Sequence, residues 1–238
     1  MAERQRQRSI RGVLAEILHP GFVALQTYWK LFIAIQCAAL IFAVTYFLWQ
    51  PLRDVCAQVA TIQQNGGVWF AVVSNVITGV IVPELLKLKF RPKHIPPLKV
   101  GEWLHRMLIL GWLGFAVYYF YLFQDRVFGV DSAPSVLLKK VLFDQLLFAP
   151  FFAVPSIVCL FILHEEGYRL RRVLPHLTLS TYRERVLPLW AMGLGYWPIM
   201  LLFIYALPGP LQFTLFLFAS MAWSLIMLFV ASNRWKEA

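Results

Sequence analysis

The stretch KKVLFDQLLFAPFFAVPSIVCLFIL, from Lys139 to Leu163, decides how the rest of the chain is read. From Val141 onward it is apolar enough and long enough to cross a bilayer as a helix, which takes about 20 residues. Between Val141 and Leu163 Asp144 is the sole charged side chain. Ionisable groups in such a segment are rare and usually face a partner or water, so Asp144 is the first candidate for a functional residue. Pro150 and Pro155 free backbone carbonyls within the same run and permit kinks, provided neighbours or water satisfy those groups.

Five further runs resemble it: Leu31 to Trp49, Gly67 to Leu86, Trp103 to Phe123, Leu189 to Leu207 and Leu211 to Ala231. Of the 238 residues, 60% are hydrophobic and 14% charged, and the mean hydropathy is +0.65, a composition outside the soluble globular range. The expected fold is therefore all-α, a polytopic bundle of six membrane-spanning helices. Residues 1–30 form a basic amphipathic segment, and residues 31–234 form a single transmembrane domain without a soluble domain or a convincing internal repeat.

The formal net charge of +10 could point to nucleic acid, but the placement of the charge points to a membrane. Eighteen of the 22 Lys and Arg precede the first run, follow the last, lie between the second and third or the fourth and fifth, or, in the case of Arg106, open the third. Only Arg53, Arg126, Lys139 and Lys140 lie on the other side. That asymmetry puts both termini inside, on the cytoplasmic side. The basic inner face suits anionic headgroups, so anionic membrane lipids are the expected partners and nucleic acid is not.

Residues 9 to 18 read as an amphipathic helix on the inner leaflet, ended by His19 and Pro20. Pro51 to Asn65 reads as a short interfacial helix ended by Gly66 and Gly67. In the second span, Ala71, Asn75 and Gly79 recur every four residues beside Ser74 and Thr78, which predicts a seam where a neighbouring helix approaches closely. Asn75 and Thr78, with Glu84 after Pro83, are secondary candidates for lining a polar path. Glu84 is also within reach of Lys87 for an ion pair at the inner interface. Pro198 permits a kink in the fifth span, and Tyr118, Tyr119 and Tyr121 suit the headgroup boundary.

No enzyme motif is complete. His164, Glu165 and Glu166 begin like a zinc helix, but Tyr168 stands where the second histidine belongs. Three cysteines without ligand spacing give neither a metal site nor a disulfide framework, so no metal, cofactor or catalytic residue is expected. Lys140 and Asp144, four apart on a helix, predict an ion pair only about 5 Å into the hydrocarbon. With Gln145 they could equally form a pore mouth or an interfacial salt bridge.

The K, DQ, F-x-P order of Lys139, Asp144, Gln145, Phe148 and Pro150 resembles the most recognisable segment of the Mpv-seventeen and peroxisomal membrane protein family. Gly79, Gly114, Tyr121 with Asp125 and Arg126, Trp197 with Pro198, and Trp223 match further family markers in order, over about residues 67–234. Val80, Phe115, Leu201 and Ile204 stand where the family carries polar or turn-forming residues. The resemblance implies a small multi-pass protein of mitochondrial or peroxisomal membranes that forms a weakly selective channel for small solutes. A homo-oligomer is a separate expectation. The tight loops, and Glu3 among the N-terminal arginines, suit a bacterial inner membrane at least as well. A non-conducting, lipid-organising protein is the alternative expectation.

Overall fold

A computed structural model describes residues 33, 37–38, 40–42, 44–85, 99–131, 133–205 and 215–224. Among them every regular element is helical. The helices are α1 (Gln50–Leu85), α2 (Val100–Phe128), α3 (Pro134–Glu165), α4 (Leu179–Leu194), α5 (Trp197–Tyr205) and α6 (Leu215–Ser224). The first three are each long and apolar enough to cross a membrane. The pair α4 and α5 passes the same test jointly, although the two are bent by 46° at Gly195 and Tyr196. The long apolar helices mark an integral membrane protein. The whole of the expected amphipathic helix and parts of the first and sixth spans lie outside the described residues.

Helices α1, α2 and α3 form an antiparallel meander, and its register can be read from side-chain contacts. Glu84 of α1 meets Arg106 of α2 at 3.3 Å, and Gly114 of α2 lies against the backbone of Ala71. Going back along α3, Lys140 meets Asp125, Phe148 stacks on Phe120, Ser156 accepts from Trp112, and His164 stacks on His105. Beyond a turn built on Leu170–Val173, α4 returns along α3 and shares a core of Val158, Ile162, Val173 and Val186. Helices α5 and α6 close a second core at Ile204, Leu215 and Ala219, against which Phe42 and Tyr46 of the preceding helical stretch pack.

Two breaks that the sequence predicts are present. The helix over 51–65 ends at the glycine pair and the second span follows it across a kink, the two together making α1. Gly66 keeps the helical hydrogen bonding, and Gly67 alone turns the chain at φ 50, ψ −129, a conformation essentially closed to side-chain-bearing residues. The hydroxyl of Tyr118 fills the space beside it. The fifth span is bent, as expected near Pro198, but the bend lies just before it at Gly195 and Tyr196, and Pro198 itself sits at the start of α5, where a proline is tolerated.

Candidate functional site

A buried polar cluster gathers where the end of α2, the first half of α3 and the end of α5 meet. Gln124, Lys140, Asp144 and Gln145 are each less than one-tenth exposed within an otherwise apolar bundle. Four such groups would be costly without partners, and their partners account for how they are arranged. The Gln124 amide donates to the Lys140 carbonyl at 2.9 Å. The Lys140 ammonium donates to Asp125 Oδ1 at 2.6 Å, and the Gln145 amide donates to Asp144 Oδ1 at 2.8 Å.

Two expectations fall here. Lys140 pairs with Asp125, the carboxylate opposite it across the short α2–α3 connection, and not with Asp144 one turn along its own helix. Asp144 is not solvated either: it is buried within the bundle, ten residues beyond Pro134 and about 15 Å along α3. Its neighbours include Tyr121 and Tyr205, whose rings meet edge to face at 5.8 Å and which lie within electrostatic reach of its carboxyl group. Tyr121 thus turns inward, and of the three tyrosines expected at the headgroup boundary only Tyr119 is exposed.

The backbone beneath the cluster is irregular for a reason present in the sequence. Asp144–Ala153 is wound as a π-helix, in which each N–H reaches back five residues instead of four. Proline has no N–H, so in this register Pro150 leaves the Gln145 carbonyl without its donor and Pro155 leaves the Pro150 carbonyl without its own. Both carbonyls are supplied from α4. Trp190 Nε1 donates to Gln145 O at 2.7 Å, and the Tyr182 hydroxyl donates to Pro150 O at 3.1 Å. The five-residue spacing of the prolines was a signal that could have announced the π register; Trp190 and Tyr182 were not singled out from the sequence.

The other sequence candidates lie elsewhere. Asn75 donates to Ala71 O at 2.9 Å, and Thr78 to Ser74 O at 2.7 Å. Both are thus satisfied within α1, along the seam with α2 and away from the Asp144 cluster. Gly79 faces Leu110, and a Cβ there would lie 2.6 Å from the leucine's Cδ1. Pro83 follows a second π-helical segment, Ile77–Ile81. Glu84 pairs with Arg106, and Lys87 lies outside the described residues. Trp197 and Trp223 meet at 5.9 Å, with Tyr196 stacked on Trp223 and donating to Ala219 O at 2.7 Å, so these three rings build the α5–α6 core. Arg126 and Lys139 are exposed, while Phe148 stacks on Phe120 with ring centroids 3.7 Å apart.

At the opposite end of the bundle lies His105, which its place at the start of the third run assigns to lipid headgroups; the structure turns it inward instead. It is buried, stacks on His164 at 4.3 Å, and shares a 3.1 Å hydrogen bond with the Tyr168 hydroxyl through Nδ1. No group of three His, Cys, Asp or Glu side chains capable of holding a metal ion occurs among the described residues. Compared with protein-family models, curated proteins and solved structures, the chain has no match.

Proposed function

We propose that the chain is a multi-pass, non-enzymatic membrane protein of the Mpv-seventeen and peroxisomal membrane protein type. In this reading it carries small polar solutes or ions past the Asp144 cluster. The observation that supports it is the burial of Gln124, Lys140, Asp144 and Gln145 at one level of a bundle built from membrane-length apolar helices. Polar groups at such depth are expensive and tend to mark a path for ions or solutes. Lys140 held by Asp125 would be the closing contact, and Asp144 with Gln145 the groups a solute meets next. Six spans with both termini on the cytoplasmic side, a mitochondrial, peroxisomal or bacterial inner membrane, and anionic lipid on the basic inner face belong to the same proposal.

Purified protein in liposomes should pass small solutes or ions, and Asp144→Asn should change the rate several-fold. Liposomes that leak nothing under any condition would sink this reading. They would favour a second one, a non-conducting structural protein, which draws support from the pairing inside the cluster: Lys140 donates to Asp125, and Asp144 accepts from Gln145.

A further inference from the structure

A second feature of the bundle lies outside the polar cluster and is not used by the proposed pathway. Between α2 and α3 runs an open cleft of about 700 Å³ lined almost wholly by rings, with Phe120 and Phe148 stacked at 3.7 Å among its lining residues. Trp112, Phe115, Tyr119 and Phe123 edge it on α2, and Leu147 and Phe152 on α3. Each of these six is more than one-third exposed on the surface of helices long enough to span a membrane.

The dimensions and the flanking charges fit one kind of occupant. From Trp112 to Phe123 the cleft extends about 16 Å along α2, close to half of the roughly 30 Å hydrocarbon layer and hence to the depth of one leaflet. At its Phe123 end the same helix faces continue into cations. Arg126 follows Phe123 by three residues, and Lys139 precedes Phe143, another lining residue, by four. Four cations were assigned to this end of the bundle, and two are engaged: Arg53 with Gln50 and the Phe47 carbonyl, Lys140 with Asp125. Arg126 and Lys139 are exposed and have no hydrogen-bond or ion-pair partner among the described residues.

We propose that this cleft is a binding site for one anionic phospholipid of the adjacent leaflet, its acyl chain laid along the aromatic groove and its phosphate held by Arg126 and Lys139. The rings give the chain a preformed apolar bed, and the two cations select for headgroup charge. This site lies at the opposite end of the helices from the basic loops, so it is distinct from any general attraction of the inner face for acidic lipid.

The test uses the full chain equilibrated in micelles with equal amounts of phosphatidylglycerol and phosphatidylcholine carrying the same acyl chains, with retained lipid counted by native mass spectrometry. The wild-type protein should keep phosphatidylglycerol preferentially. The double variant Arg126→Gln, Lys139→Gln should lose that preference by about thirty-fold, the combined strength of two cations near a membrane surface. Leu147→Trp, which fills the groove and leaves both cations in place, should weaken retention too. Unchanged retention in both variants would overturn the proposal, as would a loss confined to the charge variant, which would describe a headgroup patch without a chain site. A lipid-free dimer that Leu147→Trp dissociates would assign the groove to a second copy instead. In the unaltered fold, brominated phosphatidylglycerol should quench the fluorescence that Trp112→Phe removes; equal quenching by brominated phosphatidylcholine would count against the site.

Discussion

Helix α2 packs very differently on its two sides. Toward α1 it presents Gly111 and Gly114, and the backbones come so close that a Cβ at Gly114 would lie 2.7 Å from the Ala71 carbonyl oxygen. Toward α3 it presents Trp112, Phe115, Tyr119 and Phe123, and a cleft remains open. Lipid tails are as apolar as leucine, so helices in a bilayer gain little from burying apolar surface and associate through close packing and hydrogen bonds. Small residues make that approach possible. Large rings stack with one another but hold the helix axes apart, and the gap becomes a surface that something else can fill.

The contrast can be broken most directly at Gly114. Gly114→Val should destabilise the bundle by about 3 kcal/mol, the upper end of overpacking costs, because the obstacle is backbone and cannot rotate away. Unfolding of the purified protein in detergent would measure it. Tyr119→Trp adds volume to a half-exposed ring that lines the cleft, and should change stability by no more than about 0.5 kcal/mol. If the two substitutions cost the same, the sides of α2 are not packed differently.

Between these extremes lies Gly67→Ala on α1. It should cost about 2 kcal/mol, since no side-chain-bearing residue adopts φ 50, ψ −129 without strain. A stability equal to the wild type would mean that the α1 kink is not fixed by this residue. Trp190→Phe keeps the ring but removes the donor to Gln145 O, and should cost about 1 kcal/mol on the far side of α3. The same unfolding measurement, with no change found, would show that the carbonyl has another donor available.

Much of the architecture was legible because membrane length and apolar composition are local properties. The runs from Trp103 and Val141 became α2 and α3, and the small residues Ala71 and Gly79 lie on the α1–α2 seam. The site was read less well, because its pairings join residues far apart in sequence. The i to i+4 rule named Asp144 for Lys140, yet the five residues of the α2–α3 connection bring Asp125 to it from another helix. Tyr205 comes to Tyr121 from 84 positions away, and no periodicity reports such a meeting. Gly66 and Gly67 read as a stop signal, and the helix does break at Gly67; that a second helix resumes at once is set by the apolar run beyond it.

The two prolines of α3 also determine which carbonyls the surrounding lipid is allowed to see. Wound as an ordinary helix, Pro150 and Pro155 would strip the donors from Leu146 and Phe151, residues whose side chains are 49% and 69% exposed on the lipid-facing surface. No water reaches hydrocarbon to replace those donors. Widening the turn by one residue moves both orphans to Gln145 and Pro150, where an indole and a phenol of α4 are waiting. The bilayer thus acts as a selector of helical register, and α4 keeps that register in place directly beneath Asp144.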